Sequence, residues 1–113
     1  MNKKQRVLFF LSAFTMTAMG WAAEDPVVAT YNQKCASCHG KDGKGAASMA
    51  KMFKLDLSAL DLTDKETLDK KDDVLDGITA KGVGKMPAYA AKLKAEEIKA
   101  LTVYFRSLAK PKS

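Results

Sequence analysis

The chain has 113 residues, enough for one small domain. Its 19 lysines and arginines outnumber 13 acidic residues; the first 22 residues hold three of the cations and no anion, so the remainder stands at 16 against 13, a net +3. That surplus is too mild to argue for nucleic acid, and about 91 residues are few for a self-sufficient apolar core.

The N-terminal stretch reads as an export signal. Lys3, Lys4 and Arg6 form a positive start, and Val7 to Met19 is mostly apolar and uncharged. Gly20 and Ala22 then give a small-x-small pattern, which places cleavage after Ala22 and a mature domain over 23–113. An uncleaved membrane anchor is the other reading, but the apolar run is shorter than the ~20 residues a spanning helix needs.

Asp25 and Pro26 suit an N-cap and the first residue of a helix. Val27, Tyr31 and Cys35 recur every four residues and so share one face, which is expected to dock a second helix. The helix runs into Cys35-Ala36-Ser37-Cys38-His39, which contains the only two cysteines and the only histidine of the chain. Two thiols separated by two residues and followed by histidine form the attachment signature of a c-type haem. Each sulfur adds to one vinyl group, and the next residue then lies under the iron, where a neutral His39 supplies an axial nitrogen. Three other readings compete. A dithiol redox pair usually sits near a βαβ pattern, which is not visible here. A structural zinc site wants four ligands, and the motif offers three. A plain disulfide leaves His39 unexplained.

Gly40, Gly43 and Gly45 follow in a turn-rich stretch that lets the backbone bend closely. Met49, Met52, Phe53 and Leu57 are expected on one side of a short helix against the cofactor. Met49 and Met52 are also weighed as iron ligands, but so close to the motif they suit packing on the histidine side. Thr63-Asp64-Lys65-Glu66 has the form of a capping box opening a short helix at Thr63. The charged run 69–73 reads as a junction or solvated face. Val74, Leu75 and Ile78 give the next helical stripe, ending near Gly82.

Met86 lies between glycines and Pro87, in a stiff loop rather than on a helix face. That placement suits a sulfur held at a fixed distance from iron, or a buried loop anchor. Ala95 to Leu108 is the clearest helix, with Ile98, Leu101, Phe105 and Leu108 on one stripe and Tyr104 widening it. Lys94 sits where a cap belongs and is a poor one. No strand pattern is convincing, so the expected fold class is all-α.

A helix ending in CASCH, a Gly-rich turn, KMPAY and the terminal EEIKALTVYFRSL, in that order, resemble the small bacterial class I cytochromes c over nearly all of residues 23–110. The resemblance implies one haem c, thioether attachment through Cys35 and Cys38, and axial ligation by His39 and Met86. It also implies first and last helices that cross where Tyr31 meets Leu101 and Tyr104. Two departures stand out. Many members have a small residue where Val27 stands, so the crossing is expected to widen or shift. Many also carry a proline about ten residues after the motif, whose carbonyl receives the histidine N–H; Ala47-Ser48-Met49 offers none, which leaves that carbonyl open.

The function implied is a soluble, monomeric periplasmic carrier, not an enzyme, that exchanges one electron with redox partner proteins. Lys34, Lys41, Lys44, Lys81 and Lys85 are candidates for a ring that steers acidic partners, or are ordinary solubility charges. Two other functions stay open: a haem protein with a labile sixth site for a gas or peroxide, and a haem subunit of a larger respiratory complex.

Overall fold

The computed structural model describes residues 25–111, so the expected export segment, residues 1–22, lies outside the described residues. Six α-helices and one 3₁₀ turn make up the described chain: α1 Pro26–Lys34, α2 Ala36–His39, α3 Ala47–Phe53, the 3₁₀ turn Leu57–Leu60, α4 Lys65–Leu68, α5 Asp72–Lys81 and α6 Ala95–Leu108. Among the described residues there is no named strand, only a bridge between Val83 and Met86. The fold is all-α.

α1 begins as its residues dictate. The Asp25 carboxylate accepts the Val27 N–H at 3.3 Å, and Pro26 opens the first turn, where its missing N–H is not needed. Tyr31 is fully buried and packs edge-on against Tyr104 of α6, with ring centroids 5.1 Å apart. Leu101 joins the same cluster, so the two helices meet where the resemblance implies, and Val27 packs half-buried against that cluster.

α5 and α6 form the second packed pair. The stripe on α5 is Leu75, Ile78 and Thr79 rather than Val74, which is 46% exposed. Val74 is four residues before Ile78, yet at ~100° per residue it lies roughly a right angle from the centre of the Leu75–Ile78–Thr79 arc, at the edge of that face. Thr102, 1% exposed, spans the pair by donating its hydroxyl to Asp76 Oδ1. Arg106 reaches from α6 to the α4–α5 junction, donating to the Leu68 and Lys70 carbonyls and pairing with Asp72 at 2.7 Å. The charged run 69–73 is therefore a junction with a partner.

Two local expectations need correction. The cap of α4 is Asp64, whose carboxylate accepts the Thr67 N–H at 3.0 Å. Thr63 instead turns its N–H and hydroxyl to Asp61, so the N-cap lies one residue later than expected. The run from Met49 to Leu57 is not one helical face either. α3 stops at Phe53 because Lys54 adopts a left-handed φ of 55°, and Leu57 belongs to the next turn. Met52 is 67% exposed and Leu57 47%.

Candidate haem site

α1 breaks at Cys35, whose φ of −120° and ψ of −37° depart from helical values, and α2 restarts at once. His39 N–H donates to Cys35 O at 2.9 Å, so the histidine sits one full turn after the first cysteine on the same face. The glycine turn then folds back over the motif: Gly45 N–H donates to His39 O at 2.7 Å and Ala46 N–H to Cys38 O at 2.9 Å. Gly45 has a φ of +97°, and a Cβ there would stand 3.0 Å from Leu57 Cδ1, so a side chain fits neither the backbone nor the space.

The His39 ring is oriented by a carbonyl that the sequence left open. Its Nδ1–H donates to Leu60 O at 2.8 Å, 21 residues downstream at the end of the 3₁₀ turn. That bond commits Nδ1 and leaves Nε2 as the nitrogen available for coordination. Burial holds the His39 pKa below its ordinary value, with the Leu60 bond opposing, so the ring is kept in the neutral form a metal requires. Burial also pushes the Cys35 thiol up to about 11, against the pull of Lys34 and with a further push from Cys38.

Met86 comes from the loop that follows α5. Val83 and Met86 exchange backbone hydrogen bonds of 3.2 and 2.8 Å around Gly84 and Lys85, with Gly84 at a φ of +54°. Gly82 ends α5 with φ +73° and ψ 166°, and a Cβ there would lie 2.6 Å from Met86 O. Only glycine satisfies both conditions. His39, Cys35 and Met86 line one partly open cavity. Tyr31, Leu62, Leu75, Ile78, Leu101 and Phe105 supply its apolar walls, and Thr79 is its one hydroxylic lining residue besides the tyrosine. Thr79 donates that hydroxyl back to Leu75 O at 3.1 Å, so the wall presents no free donor.

Nearly the whole described chain, residues 22–105, matches the family described as cytochrome c oxidase, cbb3-type, subunit III. The chain belongs to that family of c-type cytochromes. It is 37% identical over 76 residues to the cbb3-type cytochrome c oxidase subunit FixPc of Rhizobium leguminosarum, an alignment covering 66% of this chain and 24% of that protein. It is 36% identical over 78 residues to the FixP subunit of Bradyrhizobium diazoefficiens, covering 67% and 24%. It is 38% identical over 78 residues to cytochrome c6 of Microcystis aeruginosa, covering 66% of this chain and 83% of that one. The chain thus spans about a quarter of the length of the cbb3 relatives and most of the length of the c6 relative.

A c-type cytochrome carries haem c, and the residues present fit that group. The cavity is apolar, as a macrocycle requires. A nitrogen donor and a thioether lie on its wall, and the nitrogen donor is already fixed in one tautomer. Cys35 lines the cavity and Cys38 lies half-buried three residues on; neither is in a disulfide. The structure does not bring Met49 or Met52 to the cavity. Among the described residues no group of three His, Cys, Asp or Glu side chains is arranged to hold a metal ion, so the zinc reading finds no site. Lys41, Lys44, Lys81 and Lys85 are exposed, and Lys34 is half-buried.

Sequence reasoning missed the Leu60 carbonyl, because every residue offers one and only the chain path selects it. It also missed two tyrosine hydroxyls at the motif. Tyr31 Oη donates to Gly40 O at 2.6 Å and Tyr89 Oη to Lys34 O at 2.9 Å, one on each side of Cys35–His39. Burial raises the pKa of both phenols above the ordinary value, so both remain donors.

Proposed function

We propose that this cytochrome is a periplasmic one-electron carrier holding a single haem c, attached through Cys35 and Cys38 and ligated by His39 Nε2 and Met86 Sδ. The observation that carries this reading is the cavity with His39 and Met86 on one apolar wall system, His39 already tied through Nδ1 to Leu60 O. A haem held there supplies an Fe(III)/Fe(II) couple. The chain's own residues do the rest. His39 stays neutral through burial, Met86 offers a soft thioether that favours Fe(II), and the apolar walls disfavour net charge and exclude water. With both axial positions filled by the protein, no substrate binds. The charge pattern of residues 1–22 supports export, and Lys41, Lys44, Lys81 and Lys85 are free to steer an acidic redox partner.

Optical spectra of the exported protein, oxidised and reduced, with and without carbon monoxide, test the ligand set. The expected result is a sulfur-to-iron charge-transfer band in the oxidised form that Met86→Ala abolishes, and no carbon monoxide response in the reduced form. A missing band with ready carbon monoxide binding would replace this reading with the open-site one. Steering predicts partner reduction that slows as salt is added; a salt-independent rate removes it.

One observation favours a second reading, a haem subunit of an oxidase assembly. The matching family and two of the similar proteins are subunits of cbb3-type oxidase. Recovery of the protein in a membrane complex, rather than free in the periplasmic fraction, would select it.

A further inference from the structure

Tyr89 stands three residues after Met86 and is buried, yet its hydroxyl reaches a part of the chain 55 residues away. The acceptor is Lys34 O, the last carbonyl of α1. In an unbroken helix that carbonyl would take the Cys38 N–H, but the break at Cys35 turns the Cys38 N–H to Cys35 O at 3.2 Å. The hydroxyl of Tyr89 therefore fills a vacancy that the attachment motif itself creates.

The backbone of the same residue is pinned to α5. Tyr89 N–H donates to Thr79 O at 3.1 Å, and Ala90 N–H donates to Ala80 O at 3.0 Å. The segment from Gly82 to Tyr89 is thus a short arch with one foot in α5, and Met86 rides on it. Within the arch the Met86 backbone bonds to the exposed Val83, and Met86 itself is half-buried against the apolar core. The Tyr89 hydroxyl is a direct polar tie between the foot of this arch and the helix end that leads into Cys35.

We propose that Tyr89 is a positioning residue for Met86. Its hydroxyl locks the methionine arch to the attachment segment and so sets how often the thioether leaves the cavity. The proposal rests on Met86 as the sixth ligand. Tyr89→Phe keeps the ring, its packing and its contact with Lys92, 5.8 Å from the ring centroid, and removes only the tie. Losing a hydrogen bond of ordinary net worth raises the open population roughly fivefold.

The experiment compares the haem-loaded unsubstituted protein with Tyr89→Phe and with Thr102→Val, which removes a buried hydroxyl bond between α5 and α6 away from the cavity. Two readouts are taken: the rate of carbon monoxide binding to the reduced protein, and amide hydrogen exchange at Met86 and Tyr89. Tyr89→Phe is expected to speed both roughly fivefold, whereas Thr102→Val lowers the melting midpoint and leaves both unchanged. A charge-transfer band in the unsubstituted protein with no change of rate in Tyr89→Phe overturns the proposal and spares the ligand assignment. An equal acceleration in Thr102→Val also overturns it, since the effect is then general loosening. If the unsubstituted protein shows no such band, Met86 is not the ligand and both readings fall together.

Discussion

His39 and Met86 face the same cavity but are held there by different kinds of structure. His39 belongs to a helical turn continuous with its two cysteines, backed by a glycine turn that hydrogen-bonds to the motif three times within seven residues, and aimed by one long-range bond to Leu60 O. Met86 lies on an irregular arch held mainly by what surrounds it: the bare backbone of Gly82, the amide bonds of Tyr89 and Ala90 to α5, and one hydroxyl. The first kind of support is mostly local and cooperative, and the second depends on α5 being in place. The comparison implies that the histidine side persists under conditions where the methionine side opens, because segments with few buried contacts open at lower free energy.

The sharpest way to break the contrast is at Gly82. Gly82→Ala places a Cβ 2.6 Å from Met86 O at a φ of +73°, so strain and crowding together are expected to cost about 3 kcal/mol. On the proposed ligation and attachment, the oxidised sulfur-to-iron band should weaken while the covalent link through Cys35 and Cys38 persists. Unchanged band intensity would mean the arch absorbs the methyl group and is softer than the contrast requires.

A second, smaller effect comes from Arg106. It ties α6 to the start of α5, and α5 in turn carries the carbonyls of Thr79 and Ala80 that seat the arch. Arg106→Ala leaves the Leu68 and Lys70 carbonyls without that donor and should destabilise by about 2 kcal/mol in denaturant unfolding. The Asp72 partner is largely exposed, so adding salt should recover little of the difference between variant and parent. A loss confined to low salt would point to the ion pair rather than the carbonyls.

The smallest effect is expected on neither side. Lys94 opens α6 with an extended ψ of 157°, and its own N–H donates to Glu97 Oε1 at 3.1 Å. That is half of a capping box, with the side-chain half missing. Lys94→Thr supplies the hydroxyl and should stabilise by about 1 kcal/mol without touching His39 or Met86. An unchanged melting midpoint would show that the first turn of α6 is already satisfied.

Much of this was legible before any coordinates. The helix 95–108, the cap at Asp25, the stop at Gly82 and the all-α class follow from periodicity, Pro26 and the glycine. Cys35, Cys38 and His39 are adjacent in the chain, and their chemistry is a matter of spacing alone. Other expectations failed for a common reason. Thr63 and Asp64 both have capping side chains, and only the position of Asp61 decided which was used. Met52 and Leu57 fit a helical stripe on paper, but Lys54 in the left-handed region ended α3 before that stripe was complete. Short polar side chains and short helices leave choices that tertiary contacts make.

What the amino-acid order determined by itself is therefore local: which residues are helical, where the motif lies, and that Met86 sits in a stiff turn between glycines and a proline. Tertiary structure alone decided that Leu60 rather than any other residue turns its carbonyl to His39, that Met86 shares a cavity with a histidine 47 positions earlier, and that Tyr89 closes the gap at Lys34. Each of these depends on a backbone carbonyl or on a long path of chain. Carbonyls are the same at every residue, so no side-chain pattern can announce which one a distant donor will find.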